Sequence, residues 1–87
     1  CLDIGYVNAY SALPVMAWLE TWAPYISHFH IHNNDGSRDQ HNALGDGTIP
    51  VKEILLRAES MCPNATYTLE LMKSEMSVHW LLNNSLI

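Results

Sequence analysis

The sequence predicts an α/β domain with parallel strands, in the form of a partial TIM (β/α)8 barrel, and two observations lead to this fold class. Three strand-like runs, CLDIGYV, HFHIH and TYTLEL, are each followed by a run with helical periodicity. Strands that alternate with helices of this length are joined by crossovers, which makes neighbouring strands parallel. Each strand-like run also has a bulky apolar face and a polar or small face. A barrel fits this pattern, because the outer face of its strands meets helices and the inner face meets the axis.

The first unit is predicted to run from a strand at residues 1–7 to a helix that begins after Pro14. Alternation along this strand places Asp3 on the polar face, opposite Leu2, Ile4 and Tyr6. Proline suits the first turn of a helix, where its missing N–H group is not needed. Apolar residues then recur at the helical spacing of i, i+3, i+4 and i+7, namely Val15, Trp18, Leu19 and Trp22.

The second unit combines a strand, a long loop and a helix. In the strand HFHIH, three histidines, His28, His30 and His32, alternate with Phe29 and Ile31. The stretch NNDGSRDQHNALGDG is rich in Gly, Asn and Asp, which predicts a loop. The run VKEILLRAES that follows has an apolar helical face made by Val51, Ile54, Leu55 and Ala58.

The third unit contains the strand TYTLEL and a final helix. Glu70 shares the polar face of this strand with Thr66 and Thr68, opposite Tyr67, Leu69 and Leu71. Ser74 is suited to cap the final helix, because a serine hydroxyl can accept a bond from a free N–H group of the first turn. We expect the apolar side of this helix to carry Val78, Leu81 and Leu82.

Composition limits the classes of protein that this chain can represent. With 87 residues, 48% of them hydrophobic and 15% charged, the chain is predicted to form one globular domain over residues 1–87. The net charge of -5, with only four Lys and Arg, argues against a nucleic-acid-binding surface. No apolar run is long enough to cross a bilayer, so we expect no membrane partner. Cys1 and Cys62 lie far apart, which favours free thiols in a reducing, cytoplasmic compartment.

The predicted alternation brings Asp3, His30 and Glu70 to the inner faces of three neighbouring strands. A buried carboxylate is costly unless a partner compensates its charge. Asp, His and Glu side chains are ligands for divalent metals, so the three residues together favour a metal site. Taken singly, each has a simpler interpretation: Asp3 caps a turn, His30 is a hydrogen-bonded core histidine, and Glu70 pairs with Arg38 or Lys73.

Two further groups of residues have competing interpretations. His32 lies on the same predicted face as His30 and competes with it as the inward ligand. Asp39 and His41 stand in the long loop, where a solvated turn is the simpler interpretation. Gly45 and Gly47 most simply allow the sharp turn that leads into the next helix.

In this order, the stretches CLDIGYVNAYS, HFHIHNNDGSRDQHNALGDGTI and TYTLEL resemble the C-terminal part of the sugar phosphate isomerase/epimerase superfamily. These are the xylose isomerase-like barrels, which include the endonuclease IV branch. The resemblance covers essentially the whole chain, and its most specific part is DGSRDQHNALGDGTI. It implies that residues 1–87 are the last three βα units, a C-terminal fragment of a TIM barrel domain.

The resemblance also implies roles for individual residues. Asp3, His30 and Glu70 fall on metal ligands of the family, and Glu70 also falls on one of two catalytic acid/base carboxylates. Asp39 and His41 fall on a D-x-H pair that binds additional metal in the endonuclease branch. The chain departs from the family where Tyr6 stands in place of a histidine, and the second catalytic carboxylate would lie before Cys1.

The implied activity is that of a divalent-metal-dependent isomerase or epimerase, which transfers a proton through an enediolate. The expected cofactor is one divalent metal ion, Mn, Mg, Co or Zn, and the expected partner is a sugar or sugar phosphate. We expect four residues to contact this substrate: His32, Arg38, Asp39 and His41. One alternative is a zinc endonuclease that cuts abasic DNA, against which Tyr6 and the acidic charge argue. Another is that the isolated chain is inactive, because the second carboxylate is missing.

The last expectation concerns assembly. Closing a barrel takes about eight strands at the usual tilt, so three strands leave two open edges. Unpaired N–H and C=O groups at such edges invite pairing with another chain. We therefore expect a homo-oligomer, association through the open barrel edges or the barrel-facing surface, or a poorly folded chain.

Overall fold

The computed structural model describes residues 1–71 and 75–86. Within these residues the chain forms strands β1 (Leu2–Asp3), β2 (His28–Ile31) and β3 (Thr66–Leu69). The helices are α1 (Ile4–Tyr10), α2 (Val15–Trp22), α3 (Val51–Met61) and α4 (Glu75–Asn83), and a single 3-10 turn (Ala23–Tyr25) follows α2. The domain therefore has the α/β class that the sequence predicts.

The three strands form one parallel sheet in the order β1-β2-β3. Leu2 pairs with Phe29 and Asp3 with His30, and the β2–β3 ladder ends at the pair Ile31 and Leu69. The predicted parallel, sequential arrangement is confirmed. Because the strands are parallel, their C-terminal ends meet at one edge of the sheet.

The prediction of a strand over residues 1–7 is wrong after Asp3. The Asp3 side chain accepts a hydrogen bond of 2.9 Å from the Tyr6 N–H group, and this cap starts α1 at Ile4. An aspartate side chain offers this bond at a helix start, and here it outweighs the strand preference of the apolar residues that follow. Ile4 and Val7 are therefore buried at helical spacing, while Tyr6 is 57% exposed instead of sharing a strand face with Ile4.

Helices cover one face of β2 and leave the other accessible. Phe29 and Ile31 are buried in the core, whereas His28 and His30 on the opposite face are only half-buried. On β3 the cover is thinner, since Tyr67 is 41% exposed even though its ring stacks on Phe29 at a centroid distance of 5.2 Å. The division between an apolar and a polar face, predicted from alternation, is confirmed for β2.

The predicted helical faces agree with the structure to different degrees. In α2 and α3 the spacing correctly identifies the buried residues Val15, Leu19, Val51, Ile54 and Ala58, although Trp22 is exposed and Leu55 half-buried.

The prediction for α4 is partly wrong. Leu81 is buried as expected, but Val78 and Leu82 are exposed. The helix turns Ser77 inward instead, and the Ser77 hydroxyl accepts a bond of 3.2 Å from the Leu44 N–H group. The predicted cap at Ser74 lies outside the described residues.

Across the described ranges, no helix has both the length and the apolar character needed to cross a membrane.

Candidate metal centre

The first group of candidate ligands, which we call group 1, consists of Asp3, His30 and Glu70. Asp3 and His30 end up side by side because they are paired in the β1–β2 ladder. Glu70 follows β3, and its N–H group donates to the Ile31 carbonyl at 3.1 Å. One ligand atom from each residue lies within 4.8 Å of the other two. The structure thus brings together the three residues that the sequence predicts as metal ligands.

The two carboxylates of group 1 face a single ring nitrogen. His30 Nδ1 lies 3.8 Å from Asp3 Oδ2 and contacts Glu70 Oε1. One nitrogen can hold one proton, which cannot compensate two carboxylates, whereas a divalent cation is suited to all three atoms. Each of the three side chains is about one-third exposed, so the group is open to a small molecule.

Asp3 is both a helix cap and a candidate ligand. Its Oδ1 accepts the Tyr6 N–H bond, while its Oδ2 faces His30. The simpler interpretation of Asp3 as a cap is therefore correct, and it is compatible with metal binding because the two tasks use different oxygens. The alternative pairing of Glu70 with Arg38 does not occur among the described residues, and Lys73 lies outside them.

A second group of candidate ligands, which we call group 2, consists of His32, Asp39 and His41. His32 is fully buried, with its Nδ1 3.5 Å from Asp39 Oδ1. His41 Nε2 lies 3.3 Å from Asp39 Oδ2, and the two imidazole rings stack in parallel at a centroid distance of 3.9 Å. His30 thus belongs to group 1 and His32 to group 2, so the two histidines do not compete for one position.

Hydrogen bonds determine which ring nitrogens in group 2 carry a proton when the rings are neutral. His41 Nδ1 lies 2.8 Å from the main-chain carbonyl oxygen of Glu70, which can only accept, so this nitrogen is the donor. His32 Nε2 lies 2.6 Å from the Asp3 carboxylate and is the donor for the same reason. The other nitrogen of each ring then directs a lone pair at Asp39.

Asp39 therefore faces two lone pairs, an arrangement that requires a cation or additional protons. Within the part of the chain that the structure describes, His32 Nδ1 and Asp39 Oδ1 are buried without a hydrogen-bond partner. Buried polar atoms are nearly always bonded, and a proton on His32 Nδ1, a bound water or a cation would each satisfy this pair. The donor set of group 2 fits a divalent metal.

The pKa of the His41 imidazole is raised above its usual 6.5. The main cause is the bond to the Glu70 carbonyl, opposed by partial burial and supported by the charge of Asp39. His41 thus holds a proton more firmly than a free histidine when no metal is present.

Two buried asparagines, which the sequence pattern predicts only as loop residues, shape the segment that carries group 2. Asn33 Nδ2 donates to the Leu44 carbonyl at 2.8 Å, and its Oδ1 accepts from the Ile49 N–H group at 3.0 Å. Asn34 Nδ2 donates to the Gly5 carbonyl at 2.8 Å, tying the loop to α1. The signal in the sequence was two adjacent amides directly after a strand, at the start of a long loop with few apolar residues.

Gly47 allows the loop to close over this asparagine pair. A Cβ at position 47 would overlap Asn33 Oδ1 and the Asn34 carbonyl oxygen. The sequence predicts Gly47 as a residue of a sharp turn before the next helix, and the structure adds this close approach to the asparagine pair. Gly45 instead packs against the indole ring of Trp80 on α4.

Arg38 is placed differently from the other predicted site residues. Its side chain is exposed in the loop, near Asp35, and is not a member of either ligand group. The Ser37 hydroxyl donates to Asp35 Oδ1, and so does the Ser37 N–H group at 2.9 Å. These two bonds lower the pKa of the Asp35 carboxyl.

Comparison of the chain with protein-family profiles, with characterised proteins and with solved structures gave no match.

Proposed function

We propose that this chain is the C-terminal part of a divalent-metal-dependent sugar or sugar phosphate isomerase or epimerase with a (β/α)8 barrel. The observation that carries the proposal is the convergence of Asp3, His30 and Glu70 within 4.8 Å at the C-terminal ends of parallel strands. In barrels of this kind, functional groups gather at those strand ends. The one-sided helix cover of β2 supports the same architecture.

The proposed reaction uses group 1 as both ligand set and base. Asp3, His30 and Glu70 would hold one divalent cation, which supplies a Lewis acid for the substrate carbonyl. Glu70 is partly exposed and would share the proton transfer with a second carboxylate. One of the two would take a proton from a substrate carbon, and the other would return a proton to the resulting enediolate. The second carboxylate, on another strand of the parent barrel, would serve the opposite face of the substrate.

The substrate would lie over the half-buried face that carries His28 and His30. Asp39 and His41 are partly exposed beside it and would contact hydroxyl groups when they are not engaged by a metal. Arg38 would meet a phosphate from the exposed loop. His32 is fully buried and so is better suited to hold other side chains than to touch a sugar. Both cysteines are free thiols, which agrees with a cytoplasmic parent protein.

Metal titration tests the proposal on the 87-residue chain. We expect calorimetry with Mn²⁺ to show binding by the wild type, and a loss of affinity of about 10-fold or more in His30→Gln. His79→Gln is the matched control, because His79 is exposed on α4 and belongs to neither group. Equal binding by the wild type and His30→Gln would contradict the proposal.

An activity assay tests the proposed catalytic role of Glu70. The isolated chain should not interconvert aldoses and ketoses, while the parent barrel should, and should lose turnover with Glu70→Gln. Turnover by the isolated chain would show that no second carboxylate from elsewhere is needed.

A second candidate function is supported by group 2. A metal-dependent phosphodiesterase that uses several zinc ions would need more ligands than group 1 contains, and His32, Asp39 and His41 supply them. The net charge of -5 argues against a nucleic acid substrate. Cleavage of an abasic DNA duplex by the zinc-loaded parent, without sugar isomerisation, would favour this candidate.

A further inference from the structure

His32 belongs to group 2 and also contacts group 1. Its Nε2 lies 2.6 Å from Asp3 Oδ1 in group 1, and its Nδ1 lies 3.5 Å from Asp39 Oδ1 in group 2. The ring is fully buried, so these contacts are shielded from water. A buried histidine with both nitrogens directed at carboxylates has little freedom to turn.

The backbone of α1 holds the His32 ring in place. Gly5 is the second residue of this helix, and a Cβ there would overlap Cε1 and Nδ1 of the ring. The ring also stacks in parallel on His41. Because Gly5 lacks a side chain, the imidazole can lie against the helix and reach Asp3. Any larger residue at this position would move it.

The bond from His32 decides which way the Asp3 carboxylate faces. Asp3 Oδ1 accepts from both His32 Nε2 and the Tyr6 N–H group. Because two donors hold Oδ1, the other oxygen, Oδ2, faces His30 and Glu70. Without the His32 bond, the carboxylate keeps only the Tyr6 bond and gains freedom to rotate away from group 1.

We propose that His32, seated against Gly5, is a positioning residue that fixes Asp3 for cation binding at group 1. This inference rests on the proposed function only in taking group 1 as the cation site. Residues that orient metal ligands by hydrogen bonds contribute to metal affinity, and mutating one lowers that affinity about 10–100-fold. His32 acts through Asp3, and group 1 itself contains no atom of His32.

Two substitutions of His32 separate positioning from simple packing. Each is made in a His41→Gln background and compared with the wild-type residue 32 in that background, so that group 2 lacks a ligand and Mn²⁺ binding reports group 1. In His32→Gln the side-chain amide can still donate to Asp3, so Mn²⁺ affinity at group 1 should stay within about threefold of wild type. In His32→Ala the donor is lost, and affinity should fall by about 10–100-fold. Gly5→Ala keeps the histidine but displaces its ring, and should show a loss similar to that of His32→Ala. His79→Gln again serves as the unchanged control.

NMR on the metal-free chain supplies a readout that does not depend on metal. The His32 Nε2–H proton should give a resonance that exchanges slowly with water, with the ring in the Nε2–H form. This signal should be present in the wild type and in His30→Gln, and absent in Gly5→Ala. Circular dichroism of each variant shows whether it remains folded.

The outcomes distinguish the inference from the proposed function. If His30→Gln loses Mn²⁺ affinity and His32→Ala does not, the positioning role is wrong and the metal site stands. If His32→Gln is as impaired as His32→Ala, the ring serves packing and the inference is overturned. If the wild type binds no Mn²⁺, the proposed function fails. The inference is then judged by NMR alone, and a missing or fast-exchanging His32 N–H signal overturns it.

Discussion

His41 Nδ1 donates a hydrogen bond of 2.8 Å to the main-chain carbonyl oxygen of Glu70. The bond joins a loop residue of group 2 to the backbone of a group 1 residue, so the two groups are held together before any metal binds. It also raises the pKa of His41, and this shift has a measurable consequence.

We predict that the metal-free chain becomes less stable as the pH rises above 6.5. A raised pKa means that the folded state holds the His41 proton more firmly than the unfolded state, whose value is near 6.5. The stabilisation from His41 is therefore fully present below pH 6.5 and is lost as the pH rises through the folded-state pKa. Urea unfolding between pH 5.5 and 8.5 would measure this. His41→Gln should flatten the dependence, and His79→Gln should not.

Asn34→Ala should destabilise the chain by about 1–3 kcal/mol, because it leaves buried partners without their hydrogen bonds. Asn34 Nδ2 bonds the Gly5 carbonyl at 2.8 Å, and its Oδ1 accepts from Asn8 Nδ2 at 2.7 Å. The free energy of unfolding from urea titration is the measurement. Asn64→Ala, at an exposed position before β3, is the control and should change stability by less than about 0.5 kcal/mol. Equal effects of the two substitutions would contradict the buried network.

The two thiols should react at very different rates. Cys1 is exposed, whereas Cys62 is buried with its Sγ 3.4 Å from the Ala23 carbonyl oxygen. Burial raises the pKa of the Cys62 thiol and reduces its thiolate fraction. Maleimide labelling followed by mass spectrometry should show one fast addition, at Cys1, and a second only when the chain unfolds. Rapid double labelling without denaturant would show that the α3 end of the core is open.

We predict that the isolated chain self-associates through β3. This strand lies at the edge of the sheet, and Thr66, Tyr67 and Thr68 are exposed along it. An apolar groove of about 420 Å³ lies beside the strand and is lined in part by Tyr67, Leu69 and Leu81. Exposed strand edges and apolar surface both favour association.

Light scattering after size-exclusion chromatography at several concentrations would measure this association. Tyr67→Lys places a charge on the edge and should shift the chain toward monomer. Tyr25→Lys is the matched control, because Tyr25 is exposed in the 3-10 turn and lies outside this groove. A wild-type chain that stays monomeric at all concentrations would contradict the prediction.

Local periodicity was sufficient to predict the elements whose residues all favour one structure. In β2 every second residue is bulky and apolar, so Phe29 and Ile31 had to face the core and the histidines the other side. The same holds for α3, where Val51, Ile54 and Ala58 fall on one helical face. These patterns are local properties of the chain, and they also made the parallel β-then-α order predictable.

Asp3 shows where local patterns stop being sufficient. Residues 1–7 fit a strand by alternation, yet the same aspartate can start a helix, and both structures are compatible with the sequence. In the folded chain the helix is selected, because Asp3 bonds Tyr6 while Gly5 packs against His32 and Asn34. Those last two contacts join residues far apart in the chain, so no short window of sequence contains them.

The sequence by itself determined the sheet order, the polar face of β2 and the meeting of Asp3, His30 and Glu70, because strand alternation and parallel pairing follow from the order of residues. The tertiary structure alone decided that His32 and His41 stack, that Asp39 faces two imidazoles and that Asn33 and Asn34 close the loop. The physical reason is that loop residues have no periodicity to direct them. Their positions depend on which distant donors and acceptors the fold brings within hydrogen-bond range.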